Sequence, residues 1–87
     1  MINAGPVVNR AMTLDALPLL EPATIDQVES AGPLTTRMRA MGLRVGREVM
    51  VVRRSRLGGP MQVRVGSTDL IIRPREARLV RVRKPSG

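Results

Sequence analysis

Residues 61–72 read Met-Gln-Val-Arg-Val-Gly-Ser-Thr-Asp-Leu-Ile-Ile, and this stretch indicates a β-hairpin. Apolar and polar side chains alternate over residues 61–65, the pattern of a strand with one face in a core and the other in solvent. Residues 66–68 supply a turn, and residues 69–73 form the return strand. The sequence therefore predicts β-structure at its centre.

Further short β-rich segments flank this hairpin, at residues 23–29, 48–54 and 79–83. Val28 is out of phase with the residues before it, which predicts a bulge or strand end near Asp26. We predict a mainly β fold of about five strands, with one short helix inserted after the first strand. Short strands joined by tight turns are typical of a small closed or partly open barrel, which hides its strand edges.

The predicted domain covers residues 12–83, between a loosely ordered N-terminal tail at residues 1–11 and a C-terminal tail at residues 84–87. An early Gly-Pro and the lack of any periodicity mark the first tail. Residues 13–17 fit one helical turn, which Pro18 ends.

The composition excludes several function classes, since the 87 residues include no Cys, no His and no aromatic residue. Thiolate and imidazole metal sites, disulfides and histidine catalysis are all ruled out. Aromatic grooves for proline-rich peptides and stacking platforms for single-stranded nucleic acid are also missing. The carboxylates form no catalytic motif and there is no phosphate-binding loop, so we expect no enzyme, no cofactor and no metal site. Asp26 and Glu29 form the closest acidic pair, and we interpret them as a solvated surface.

The formal net charge is +8, and fourteen of the fifteen cationic residues are arginine. Two interpretations stay open, a solvated basic surface and an electrostatic footprint for an anionic partner. No apolar run is long enough to span a bilayer, and no signal peptide is recognisable. We therefore expect a cytoplasmic protein.

The only convincing helix is predicted at residues 34–41. Leu34, Met38 and Met41 fall at positions i, i+4 and i+7, so they share one face. Gly42 suits the left-handed position after the helix, and Leu43 is the apolar residue expected next in a Schellman-type end. The shared face either packs into the core or binds a partner, and both alternatives stay open.

The loop at residues 57–60, Leu-Gly-Gly-Pro, is a second candidate for partner binding. Glycine allows close backbone approach, and proline fixes the exit into the next strand. Leu57 either folds back onto the core or is displayed as an anchor for a partner.

Residues 14–17, 37–46, 57–60 and 72–77 are four segments that resemble, in order, the FeoA family of bacterial ferrous iron uptake proteins. Leu14 to Leu17 are similar to the short opening turn of that family. Residues 37–46, Arg-Met-Arg-Ala-Met-Gly-Leu-Arg-Val-Gly, resemble its Arg-Leu, Leu-Gly-Leu and Pro-Gly signature. Residues 57–60 resemble its Leu-Gly-Asp-Pro loop, with Gly59 in place of Asp. Residues 72–77, Ile-Arg-Pro-Arg-Glu-Ala, resemble its Leu-Arg-x-x-Glu-Ala element. The resemblance covers roughly residues 12–83.

The resemblance implies an SH3-like barrel that acts as an accessory of FeoB, an inner-membrane ferrous iron permease with a cytoplasmic GTPase domain. The same fold is known as the C-terminal domain of iron-dependent repressors. The resemblance also implies that the chain is peripheral to the membrane through its partner. Because Gly59 replaces the family's Asp, a role that needs a carboxylate there is not implied for this chain.

We expect the partner-binding surface to combine the helix end, the Leu57 loop and a rim of arginines. It comprises Arg37, Met38, Arg39, Met41, Gly42, Leu43, Leu57, Gly58, Pro60 and Arg73. Weak self-association is a further hypothesis. The alternative function is a basic nucleic-acid-binding or regulatory barrel, suggested by the charge and by the kinship to repressor domains, although we expect no nucleic-acid partner.

Overall fold

The computed structural model describes residues 10–29 and 32–85, and most of these residues lie in antiparallel strands. The strands are β1 (Arg10–Thr13), β2 (Ala23–Val28), β3 (Glu48–Arg54), β4 (Met61–Val65), β5 (Thr68–Ile72) and β6 (Val80–Lys84). The helices are α1 (Pro33–Ala40) and α2 (Pro74–Ala77), with single 3-10 turns at Leu14–Ala16 and Arg56–Gly58. A mainly β fold with a short helix is confirmed.

One sheet, in the order β1-β6-β2-β3-β4-β5, surrounds the core with one of its faces. The core is purely aliphatic, as a chain without aromatic residues requires. The side chains at its centre are Leu14, Leu17, Ile25, Met38, Leu43, Val49, Val51, Val63, Ile72, Val80 and Val82. Every strand from β2 to β6 contributes, so removing these side chains from water stabilises the whole sheet.

The described residues form six strands, one more than the sequence predicted. The additional strand is β1, whose four residues show no alternation and are ordered by pairing with β6, where Thr13 lies opposite Arg81. Strand β1 therefore begins two residues before position 12, and β6 continues through Lys84. For the same reason α1 follows the second strand rather than the first. Of the predicted tails, residues 1–9, 86 and 87 lie outside the described residues.

The central hairpin and the predicted bulge are both confirmed. Strands β4 and β5 pair from Met61 opposite Ile72 to Val65 opposite Thr68. The register of β2 against β6 shifts between Ile25 and Gln27, which brackets Asp26. The shift returns Val28 to the buried face, as its position in the sequence required.

The end of α1 is the predicted Schellman motif. The N–H of Leu43 donates to the carbonyl of Met38 at 3.1 Å, and the N–H of Gly42 donates to the carbonyl of Arg39 at 3.0 Å. Gly42 has a φ of 104°, a backbone conformation that residues with a side chain rarely adopt. The motif turns the chain so that Leu43 enters the core directly beneath the helix.

Candidate partner-binding site

The apolar face of α1 belongs to the core. Met38 and Leu43 are each 0% exposed, and Leu34 and Met41 are partly buried and pack against the same cluster. Met38 and Leu43 therefore do not reach the surface that the sequence assigned to them. The reason is the Schellman motif, which points the residue after Gly42 inward. Of the two interpretations left open for this face, the structure supports core packing.

Arg37 of α1 joins the helix to α2 through an ion pair. Its Nη1 lies 2.8 Å from Oε2 of Glu76. The other oxygen of that carboxylate, Oε1, accepts a hydrogen bond from the backbone N–H of Arg73 at 2.9 Å. Glu76 is only 5% exposed, although Arg37 remains 57% exposed along its side chain. One buried carboxylate thus fixes the start of α2 and the position of α1 at once.

The surroundings of Glu76 favour its charged form. The hydrogen bond from the Arg73 N–H lowers the pKa of the carboxyl below its ordinary value of 4.5, burial opposes this, and the Arg37 guanidinium lowers the pKa further. Asp69, in the β4–β5 hairpin, also has a lowered pKa, because Arg64 and Gln62 donate hydrogen bonds to it. Asp69 lies on the exposed face of its hairpin, whereas Glu76 is enclosed.

We expect the stability that Glu76 contributes to depend on pH. Since its pKa is lower in the folded state, the contribution is fully present above the unfolded value near 4.5 and is lost as the pH falls through the folded value. The melting temperatures of the wild type and of Glu76→Gln should therefore converge as the pH falls below about 4.5. Asp69→Asn serves as a matched control. The difference in melting temperature between Asp69→Asn and the wild type should change less with pH, because water screens the ion pair of Asp69 with Arg64. A constant gap between Glu76→Gln and the wild type at every pH would contradict this assignment.

Leu57 is the most exposed apolar side chain among the described residues, at 103% of its reference area. Its φ of 60° and ψ of 35° place a leucine in the left-handed region, which costs roughly 1 kcal/mol for a residue with a side chain. Two backbone hydrogen bonds hold the loop, from Ser55 to Pro60 at 3.2 Å and from Gly59 to Arg56 at 3.3 Å. The structure therefore supports display of Leu57 over its return to the core.

A shallow open cleft of about 590 Å³ lies between this loop and α2. Its lining residues are Gly58, Gly59, Pro60, Arg73, Pro74, Arg75 and Arg78. Three predicted site residues, Gly58, Pro60 and Arg73, therefore meet at one place. The lining does not include Leu57, Arg39, Met41 or Gly42, and Arg37 is linked to the α2 wall through Glu76.

The sequence reasoning missed Glu76, Arg75 and Arg78. Glu76 lies three residues after Arg73, with Pro74 between them, which is the spacing of a capping box. This spacing could have predicted the hydrogen bond that the Arg73 N–H donates to Glu76. The structure shows this bond at 2.9 Å. No local pattern marks Arg75 and Arg78, since they become neighbours of the Leu57 loop only in the folded chain.

Within residues 10–29 and 32–85, no group of three or more acidic residues could hold a metal ion. Asp26 and Glu29 instead form ion pairs with Arg83 at 2.9 Å and with Arg81 at 3.7 Å. The same residues include no helix that is long and apolar enough to cross a membrane.

Residues 12–84 of this chain match the family model of the FeoA domain. A search of curated protein sequences gave no match. The Stenotrophomonas maltophilia FeoA crystal structure, solved with zinc and described as an SH3 domain protein, is 36% identical over 82% of this chain and 88% of its own, with a TM-score of 0.73. The SH3-like architecture expected from the resemblance is thereby confirmed.

Two further structures show how widely the fold occurs. The solution structure of iron(II) transport protein A from Clostridium thermocellum is 33% identical over 84% of this chain, with a TM-score of 0.80, but the match spans only 45% of that protein. A manganese-dependent transcriptional repressor is 18% identical over 90% of this chain and 44% of its own, with a TM-score of 0.79. At that identity the repressor shows likeness of fold alone.

Proposed function

Because this chain belongs to the FeoA family, we propose that it serves ferrous iron uptake in the cytoplasm by binding the FeoB-type GTPase permease of the inner membrane. Its role would be that of a non-catalytic accessory. The Stenotrophomonas relative is itself described as a candidate activating factor for bacterial ferrous iron transport. Membership of a ferrous iron transport family supports a role in iron uptake. The surface of this chain supports action by binding a partner protein.

The observation that carries the binding role is the display of Leu57. A leucine that is fully exposed and held in a strained backbone conformation adds nothing to the core. Burying such a side chain in a partner's pocket contributes about 1.5–3 kcal/mol. Backbone strain in a loop whose side chain does not pack into the core is typical of a binding site. Leu57 is therefore the apolar anchor of the proposed surface, in place of Met38 and Leu43.

We expect Leu57→Glu to weaken binding to the permease at least about tenfold, because a charge would have to enter the pocket that receives the leucine. The measurement is an affinity titration against detergent-solubilised permease. Val45→Glu is the matched control, since Val45 is also an exposed apolar residue of a turn and the charge change is identical. Both variants should keep the wild-type melting temperature. Equal binding by wild type and folded Leu57→Glu would refute Leu57 as the anchor, and absence of binding by the wild type would refute the permease as partner.

The alternative of nucleic-acid binding gains no support from the fold. The likeness to the repressor is one of architecture, and its match covers less than half of the repressor chain. Several arginines of the sheet are already paired with carboxylates, such as Arg64 with Asp69 and Arg83 with Asp26. The basic charge is therefore partly neutralised on the sheet, and we propose a protein partner only.

A further inference from the structure

We infer that the cleft between the Leu57 loop and α2 binds a short acidic peptide segment of a protein partner. Carboxylates of the segment would lie against Arg73, Arg75 and Arg78, and an apolar residue of the segment would lie against Leu57. The inference rests on the proposed function, since it names the chemistry of what the permease would offer to this chain.

The positive charge of the cleft is not neutralised by carboxylates of the described residues. Arg75 and Arg78 form no ion pair with any carboxylate of residues 10–29 and 32–85. Glu76 is the only acidic residue of α2, and both of its oxygens are already engaged inside the protein. Like charges around one concavity repel each other, and an entering anion removes that repulsion. The cleft is thus poised for a carboxylate.

Three arginines of strands β4 and β6 contrast with the arginines of the cleft. Arg64, Arg81 and Arg83 each lie within ion-pair distance of an acidic residue of the same or a neighbouring segment. These three cations are therefore matched as the chain folds. Arg75 and Arg78 have no such match, although a few residues of sequence separate them from the paired set. Other exposed arginines, such as Arg47 and Arg53, also lack a carboxylate partner among the described residues, so the distinguishing feature of the cleft is that three arginines line one concavity.

The wall that the Gly58–Pro60 loop gives the cleft has almost no side chains. Gly58 has a φ of 71°, which favours glycine, and a Cβ built on Gly59 would lie 3.0 Å from the Cβ of Ser55. The loop conformation therefore requires small residues, and it leaves the backbone open to close approach. A segment resting on this wall could present its carboxylates to planar guanidinium groups, which bind carboxylates with two parallel hydrogen bonds.

Shape and composition favour a peptide over other anionic partners. The concavity of about 590 Å³ is shallow and open, which suits a segment of extended chain lying along it, whereas a bilayer presents a flat surface. The chain has no aromatic residue on which nucleic-acid bases could stack. Leu57 does not line the cleft, but it directly precedes the Gly58–Pro60 wall and is fully exposed, so a segment that extends past the cleft gains an apolar contact that an isolated phosphate would not use. An acidic segment that carries one apolar residue satisfies all three features.

The experiment measures binding of a fluorescein-labelled peptide, Glu-Glu-Leu-Glu-Glu, by fluorescence anisotropy. We expect the double variant Arg75→Gln, Arg78→Gln to weaken binding about tenfold or more, as loss of charge-assisted hydrogen bonds predicts. The control is Arg47→Gln, Arg53→Gln, which removes two exposed arginines that likewise lack a carboxylate partner in the described part of the chain. Because the net charge change is the same, the control should lose less than about twofold if the site is the cleft.

Equal losses in both double variants, or no binding of the peptide to wild type at 100 mM salt, would overturn the inference. The inference would also be overturned if binding to phosphatidylglycerol vesicles required Arg75 and Arg78 and binding to the peptide did not. A parallel titration with solubilised permease separates this inference from the proposed function. Permease binding that survives Arg75→Gln, Arg78→Gln would refute the cleft as the docking site and leave the permease as partner. Peptide binding in the cleft without any permease binding would refute the permease and support the cleft.

Discussion

Replacing Leu43 with alanine is expected to lower the free energy of unfolding by about 3 kcal/mol, whereas Leu57→Ala should change it by less than about 0.5 kcal/mol. The two leucines lie in neighbouring family-like motifs, but Leu43 is 0% exposed beneath α1 and Leu57 is 103% exposed. Removing three carbons from a closed aliphatic core leaves a cavity that its neighbours fill only in part. Urea titration followed by circular dichroism measures both values.

The same pair of variants separates packing from binding. Leu57→Ala should bind the permease more weakly while keeping wild-type stability, and Leu43→Ala should bind normally at temperatures where it is folded. Val51→Ala, at another fully buried position of the core, controls for general loss of stability. If Leu43→Ala lost less than about 1 kcal/mol and yet bound poorly while folded, Leu43 would have to be accessible, contrary to its burial.

Local pattern was sufficient to predict the elements that local forces create. Alternation predicted the β4–β5 hairpin, and Gly42 followed by Leu43 predicted the end of α1. Local pattern did not predict whether the apolar face of α1 packs into the core or binds a partner, because both kinds of face have the same helical spacing. Burial of Met38 depends on strands that lie far away in the sequence. That part of the surface prediction therefore needed the tertiary structure.

Long-range pairing explains the other differences. Strand β1 is stabilised by β6, about seventy residues later, so its four residues carry no signal of their own. Arg37 and Glu76 are 39 positions apart, and their ion pair cannot be read from either motif alone. The displayed side chain of Leu57 follows from a left-handed backbone that sequence would assign to glycine. The candidate site thus depends on contacts between motifs that the sequence presents separately.

The Glu76 carboxylate makes one of these contacts between separate motifs, with Arg37. Glu76→Ala is expected to lower the free energy of unfolding by about 2 kcal/mol. The change removes a charge-assisted hydrogen bond to Arg37 and leaves the Arg73 N–H without its acceptor at the start of α2. Glu76→Gln keeps an oxygen acceptor for that N–H and should lose about half as much. For a domain of this size, 2 kcal/mol corresponds to a fall of roughly 10 °C in melting temperature, measured by calorimetry at pH 7.

Arg37→Gln shows whether the hydrogen bond of Glu76 to Arg37 or the one to the Arg73 N–H contributes more to stability. Because Arg37 is more than half exposed, water replaces it readily, and its loss should lower the free energy of unfolding by less than about 1 kcal/mol. The order of loss expected is therefore Glu76→Ala, then Glu76→Gln, then Arg37→Gln. If Arg37→Gln were as destabilising as Glu76→Ala, the ion pair rather than the backbone bond would hold α2 in place. The cleft wall formed by Arg73 and Arg75 would then depend on α1, and Arg37→Gln would also weaken binding of the acidic peptide.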